Sequence, residues 1–222
     1  MKIKAIITGS TGMLGKGVLL ECLDSSHVES VLVINRRPVG LKHEKLKEII
    51  HADFYDLSTI KDQLAGYNTC YFCLGVSAAG MSEKDYSRIT YDLTLNFAQT
   101  LLSLNPELAF CYISGAGTDS SEKGRMMWAR VKGKTENALL ALPFKKTYML
   151  RPAYIQPMKG IRSSTRIYNI LYTILKPLYP LLKAFPKIVT NTEKLGKAMI
   201  KLVLIDYDKN ILENIDLNRL VT

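Results

Sequence analysis

The sequence predicts an α/β protein in which a doubly wound parallel sheet carries helices on both faces. Short apolar runs rich in β-branched residues alternate with longer segments whose apolar residues recur at helical spacing. Several glycines stand between the first run and the first helical segment. At 222 residues the chain is long enough for one α/β domain with a full core. We therefore expect a single domain over residues 1–222.

Six apolar runs are predicted to form the strands. A parallel strand that is buried on both faces reads as a continuous apolar run, without the alternation of a half-exposed strand. The predicted strands are Ile3–Thr8, Val31–Ile34, Leu46–Ala52, Thr69–Gly75, Leu108–Ile113 and Lys146–Leu150.

The segments between and after these runs predict helices. The longest has an apolar residue at every fourth position, which gives a stripe that can be buried against a sheet. Because strands and helices alternate along the chain, the sheet should be parallel. The predicted helices are the one containing Leu14, Val18 and Cys22, then Ser58–Leu64, Glu83–Leu104, Met126–Leu142 and Thr192–Ile205.

The glycines Gly9, Gly12 and Gly15 form a G-x-x-G-x-x-G turn between the first strand and the first helix. Free backbone N–H groups and the positive end of the helix dipole meet at such a turn, and missing side chains let a pyrophosphate approach. The spacing is one residue longer at its start than G-x-G-x-x-G. Because the strand and the helix are both present, the turn predicts a dinucleotide site in preference to a simple tight turn.

The end of the second predicted strand indicates which dinucleotide binds. Asn35 stands where an acidic residue would accept the 2′-hydroxyl of the ribose. Arg36 and Arg37 follow at once, and a guanidinium can bind a phosphate through two hydrogen bonds. Two surface arginines in a loop are the alternative interpretation. The missing acid and the added bases favour NADP (NADPH).

The net charge of +10 lies in the C-terminal half of the chain. Residues 1–111 carry 11 Lys and Arg against 12 Asp and Glu, whereas residues 112–222 carry 19 against 8. We interpret this excess as solvated lysines, with nucleic-acid or anionic-membrane contact as a weaker alternative. Residues 166–185 are apolar, but Lys176 and two prolines interrupt them. We expect no transmembrane segment.

The first strand begins without a signal-peptide pattern, so we expect a cytoplasmic location. Cys70 and Cys73 form a C-x-x-C pair, but positions three apart in a strand point to opposite faces. No second Cys or His pair stands at metal-ligand spacing. We interpret the cysteines as packed side chains and expect no metal site.

Further residues give the chain a resemblance to short-chain dehydrogenase/reductases. It is most similar to atypical members, such as the Tat-interacting oxidoreductase-like and NAD-dependent epimerase-like proteins. The resemblance extends from Met1 to about Leu204. The positions that carry it are the three glycines of the turn, Arg36, Asp53, Gly75, Asn96, Ser114, Lys132 and the Arg151-Pro152 pair.

This resemblance implies a Rossmann fold with a small C-terminal helical lid over residues 157–190. It also implies a small-molecule substrate and a homodimer formed through two long helices. The implied cofactor-binding residues are Gly9, Ser10, Thr11, Gly12, Met13, Leu14, Gly15, Arg36, Arg37, Asp53, Leu74, Gly75 and Lys132.

In the family a serine orients the substrate carbonyl, a tyrosine transfers the proton, and a lysine four residues later lowers the pKa of that tyrosine. The serine and the lysine correspond to Ser114 and Lys132. The tyrosine position holds Trp128, whose indole N–H is no acid or base near neutral pH. Tyr154 is a candidate proton donor, and packing of its ring in the core is the competing interpretation.

The sequence thus predicts an NADP-dependent oxidoreductase that transfers a hydride to a small carbonyl or related substrate. The alternative is a non-catalytic NADP-binding protein whose lid responds to the cofactor. In that alternative, Trp128 marks lost catalysis.

Overall fold

The structure is a computed structural model that describes residues 2–162, 179–182 and 184–221. The described residues form nine strands; the first six lie where the sequence predicts them, and the last three were not predicted. Those strands are β1 (Ile3–Thr8), β2 (Val28–Asn35), β3 (Leu46–Ile50), β4 (Thr69–Phe72), β5 (Ala109–Ile113), β6 (Lys146–Arg151), β7 (Tyr154–Gln156), β8 (Val189–Asn191) and β9 (Ile211–Glu213).

The described residues also form seven α-helices, of which the two short ones at Tyr179–Leu182 and Asn214–Arg219 were not predicted from the apolar periodicity. They are α1 (Met13–Asp24), α2 (Glu83–Ser87), α3 (Leu93–Leu104), α4 (Met127–Leu140), α5 (Tyr179–Leu182), α6 (Thr192–Leu204) and α7 (Asn214–Arg219).

Seven of these strands form a parallel sheet in the order β3-β2-β1-β4-β5-β6-β9. The chain moves outward from β1 to β3 on one side and then crosses over to β4 on the other. The strand order therefore reverses between β1 and β4, which is where ligands bind in open α/β sheets. Strands β7 and β8 pair separately in a small parallel sheet.

The hydrophobic core lies on both faces of the large sheet. One face packs against α1 and α6 through residues such as Val18, Cys22 and Met199. The other face packs against α3 and α4 through residues such as Phe97 and Leu139. Successive residues of a strand point to opposite faces, so the continuous apolar runs serve both halves of the core. The predicted doubly wound Rossmann-type fold is confirmed.

Three details differ from the predictions or lie beyond them. Residues Ser58–Leu64 form a 3₁₀ helix, which has three residues per turn. A π-helical turn at Arg88–Asp92 joins α2 to α3, so the predicted long helix is continuous but locally widened. Half of the predicted lid region 157–190, namely residues 163–178 and 183, lies outside the described residues.

Candidate cofactor and active site

The glycine turn after β1 is packed so tightly that two of its glycines tolerate no side chain. Gly9 has a φ of +68°, and a Cβ there would lie 2.7 Å from the carbonyl oxygen of Cys73. A Cβ on Gly15 would lie 2.3 Å from the carbonyl oxygen of Gly9. Gly12 has more room, because its Cβ would approach only the Gly9 oxygen, at 3.3 Å. The first and third glycines thus shape the turn, and the second leaves space beside it.

A cleft with a volume of about 490 Å³ opens at the point where the strand order reverses. Its lining brings together the glycine turn, the ends of β2 and β4, and both arginines. The lining residues are Gly9, Thr11, Gly12, Ile34, Asn35, Arg36, Arg37, Pro38, Phe54, Cys73, Leu74 and Gly75. The glycine turn and the two arginines give this cleft groups that can bind anions.

Other predicted cofactor-binding residues have a supporting place in the structure. Ser10 is fully buried, and Met13 and Leu14 pack against the core. Asp53 is exposed, and its Oδ1 accepts a hydrogen bond from the Tyr55 backbone N–H at 2.9 Å. Its neighbour Phe54, which the sequence analysis did not single out, lines the cleft instead.

Asn96 fixes the loop that carries Phe54. Its side-chain amide donates hydrogen bonds to the carbonyl oxygens of Phe54, at 3.2 Å, and Tyr55, at 3.0 Å. The Phe54 ring also packs against Phe97, with the ring centroids 6.0 Å apart. Helix α3 therefore holds one wall of the cleft in place.

Each end of the Asn35 side-chain amide forms a hydrogen bond within the protein. Its Oδ1 accepts a hydrogen bond from the Ser10 hydroxyl at 2.9 Å. Its Nδ2 donates to Oε1 of Glu48 on the adjacent strand β3, also at 2.9 Å. The same Glu48 oxygen accepts the backbone N–H of Val39 at 2.8 Å. The sequence analysis missed Glu48, because this contact depends on the pairing of β2 with β3.

Ser114 points into the protein, which corrects the role in substrate orientation expected for it. Its side chain is buried, and Oγ lies within hydrogen-bonding distance of Glu136 Oε1 and of the Leu150 carbonyl oxygen. The hydroxyl proton has acceptors inside the fold and is not directed toward a ligand. The next residue, Gly115, faces open space but carries no side chain.

Glu136 is the centre of a buried polar network. Its carboxylate is fully buried and forms an ion pair with Arg151, whose side chain is 11 % exposed. Arg151 also donates hydrogen bonds to the Ser120 hydroxyl and to Glu213 at the end of β9. A desolvated carboxylate needs such partners, so it attracts the Ser114 hydroxyl as well.

Lys132 lies one helical turn before Glu136 on α4, and its ammonium donates a hydrogen bond to the backbone carbonyl of Ser114. Burial lowers the pKa of Lys132 to about 8, and the Glu136 carboxylate opposes this shift. Of the three positions that correspond to the catalytic serine, tyrosine and lysine, only Lys132 therefore holds a group that titrates near neutral pH.

Trp128 packs beside the loop after β5. A Cβ on Gly117, which has a φ of +85°, would lie 3.3 Å from the six-membered ring of this indole. The tyrosine position is thus filled by an apolar ring that braces the loop.

Tyr154 lies in β7, and its hydroxyl donates to Gln156 Oε1 at 2.7 Å. Burial and then the neighbouring Tyr179 raise the pKa of Tyr154.

The described residues contain no group of three or more His, Cys, Asp or Glu side chains placed to hold a metal ion. Cys70 and Cys73 pack on opposite faces of the sheet, as strand alternation predicts.

Comparison with known proteins gives the family. A family model described as NAD dependent epimerase/dehydratase matches residues 5–124, which is more than half of the chain. The chain belongs to this family. The predicted resemblance to short-chain dehydrogenase/reductases of the epimerase-like kind is confirmed.

Two similar curated proteins come from yeasts. Protein FMP52-2, mitochondrial, of Scheffersomyces stipitis is 31 % identical over 158 residues, covering 70 % of this chain and 67 % of that protein. Protein FMP52, mitochondrial, of Debaryomyces hansenii is 27 % identical over 152 residues, covering 68 % of this chain and 66 % of that protein. The aligned region thus spans about two thirds of these relatives.

The fold also resembles a short-chain dehydrogenase from Streptomyces avermitilis. The TM-score is 0.68 at 14 % sequence identity, and the match covers 99 % of this chain and 92 % of the other. The cytoplasmic location expected from the sequence is contradicted, because the two yeast relatives are named as mitochondrial proteins. Within the part of the chain that the structure describes, no helix has the length and hydropathy of a membrane span.

Proposed function

We propose that this protein binds NADP(H) and is an oxidoreductase that acts on a small carbonyl or related substrate. The observation that supports this proposal is the cleft between β1 and β4, in which the glycine turn and both arginines line one continuous surface. Membership of the NAD dependent epimerase/dehydratase family supports a nicotinamide dinucleotide as the cofactor. The two arginines support the phosphorylated form.

Different residues of the cleft would bind different parts of the cofactor. The backbone N–H groups at the start of α1 would hold the pyrophosphate, since helix N-termini favour anions. Arg36 and Arg37 would bind the 2′-phosphate, and Phe54 would pack beside the adenine. The cofactor supplies the hydride when bound. Lys132 would bind the nicotinamide ribose, as the family resemblance implies.

We expect Arg36→Ala to reduce the preference for NADPH over NADH. A charge-assisted hydrogen bond contributes about 1.5–3 kcal/mol, so the ratio of the two dissociation constants should fall by about tenfold to more than a hundredfold. Isothermal titration calorimetry with both cofactors measures this ratio. Arg219→Ala is the matched control, because Arg219 is exposed on α7. Equal affinity of the parent protein for NADPH and NADH would contradict the assignment.

A non-catalytic NADP-binding protein is the second candidate function. Two observations favour it, namely the indole at the tyrosine position and the inward hydroxyl of Ser114. In this case binding of the cofactor would act on the predicted lid and so control the binding of a partner.

Catalysis can be tested with the parent protein, Trp128→Tyr and Tyr154→Phe. Each is assayed for NADPH oxidation with a panel of small aldehydes, ketones and quinones. We expect turnover by the parent, and a higher rate for Trp128→Tyr because a phenol can transfer a proton. If Tyr154→Phe keeps full activity, Tyr154 is a packing residue and another group supplies the proton. Binding of NADPH without turnover in the parent and in Trp128→Tyr would favour the non-catalytic function.

The names of the yeast relatives support a mitochondrial location for this protein. The homodimer and the single domain remain predictions from the family resemblance and the chain length.

A further inference from the structure

We propose that Glu48 limits the preference of the site for the phosphorylated dinucleotide. The acid that is missing from the end of β2 is replaced here by a carboxylate from the neighbouring strand β3. This inference rests on the proposed function, because it concerns the same cofactor cleft.

The register of the sheet brings Glu48 to the basic end of the cleft. Strand β3 pairs with β2 so that Glu48 lies opposite Val33, and its side chain extends to the end of β2. There, Oε1 accepts two hydrogen bonds, from Nδ2 of Asn35 at 2.9 Å and from the backbone N–H of Val39 at 2.8 Å. Because Asn35 itself lines the cleft, the Glu48 carboxylate is one side chain away from the cleft.

Asn35 cannot replace the charge of an acidic residue, and both ends of its amide are occupied. The Ser10 hydroxyl donates to Oδ1 at 2.9 Å, and Nδ2 donates to Glu48. Asn35 is thus a neutral link between the glycine turn and the carboxylate. The negative charge at this end of the cleft belongs to Glu48.

The charged groups around Glu48 are those that would meet a 2′-phosphate. Lys16 on α1 donates to the carbonyl oxygen of Val39 at 3.2 Å. Burial lowers the pKa of Lys16, and the Glu48 carboxylate opposes this shift. Arg36 and Arg37 lie on the loop between Asn35 and Val39, the two residues that Glu48 holds.

These contacts give Glu48 two separable effects. Its hydrogen bonds hold the loop that carries the arginines, and a neutral oxygen at the same place would do the same. Its negative charge opposes a phosphate that carries close to two negative charges, and only a carboxylate does this. Glu48 is an exposed residue, so water and salt screen the effect of its charge, which should be largest at low ionic strength.

The test is Glu48→Gln, which keeps the acceptor oxygen and removes the charge. We expect the affinity for NADPH to rise about three- to tenfold at low ionic strength, with a smaller change for NADH. Calorimetry measures both dissociation constants, and thermal unfolding shows that the variant is folded. The matched control is Glu29→Gln, which removes an exposed charge from the other end of β2 and should leave the ratio unchanged.

A second variant separates the charge from the hydrogen bonds. Glu48→Ala removes both, so it should bind NADPH more weakly than Glu48→Gln because the arginine loop loses its anchor. An unchanged ratio of dissociation constants in Glu48→Gln would overturn the proposal, even if Glu48→Ala weakens both cofactors. If the parent protein binds neither cofactor, the proposed function fails and this inference fails with it.

Discussion

Replacement of Glu136 by alanine should lower the free energy of unfolding by about 3–5 kcal/mol. The fully buried carboxylate is the common partner of Arg151 and Ser114. Its removal leaves a guanidinium that is only 11 % exposed, with Glu213 as its remaining carboxylate partner. Because α4, β5, β6 and β9 meet at this network, the loss should reduce the stability of the whole sheet edge. Urea unfolding followed by circular dichroism measures the change.

The control for this prediction is an exposed ion pair. Lys145 and Glu107 form a pair at 2.8 Å, with side chains that are 54 % and 79 % exposed. Glu107→Ala should therefore change the free energy of unfolding by no more than about 1 kcal/mol. Similar effects of the two substitutions would show that the buried network does not stabilise this edge of the sheet.

Gly12→Val should abolish dinucleotide binding and leave the fold intact. Gly12 has a φ of −84° and a ψ of 166°, which valine adopts without strain, and it lines the cleft. A branched side chain at this place would occupy the space of the pyrophosphate. We expect the affinity for NADPH to fall by more than about a hundredfold, as measured by calorimetry.

The contrast with Gly15→Ala makes this prediction specific. A Cβ on Gly15 would lie 2.3 Å from the Gly9 carbonyl oxygen, so even alanine must displace the backbone of the turn. Gly15→Ala should thus lower the melting temperature markedly, whereas Gly12→Val should change it little. If folded Gly12→Val binds NADPH as the parent does, the turn has only a structural role.

Local patterns were sufficient to locate most strands and helices. The parallel strands are buried on both faces, so each appears as a short apolar run, and α3 appears as a stripe with a period of four. The 3₁₀ helix and the π-helical turn were not predicted. Over a single turn, the spacing of their apolar residues cannot be told from that of an α-helix.

The candidate site was predictable only where its residues follow one another in sequence. The glycine turn and the two arginines directly follow β1 and β2. Their positions in the sequence are therefore enough to place them at the cleft. Phe54 was not predicted to line the cleft. The hydrogen bond that holds its backbone in place comes from Asn96 on α3, which is far away in the chain. Glu48 was missed because its role arises from the register between β2 and β3.

The sequence by itself determined the doubly wound sheet and the glycine turn after the first strand, and it predicted Trp128 at the position of the family's tyrosine. These features depend on residue identity and short-range periodicity, both of which can be read along the chain. Only the tertiary structure decided that Ser114 points toward Glu136, that Lys132 has a lowered pKa, and that a carboxylate from β3 accepts a hydrogen bond from Asn35. The direction of a hydroxyl, the pKa of an amine and the reach of a carboxylate depend on burial and on partners from other elements. Those partners come together only when the chain has folded.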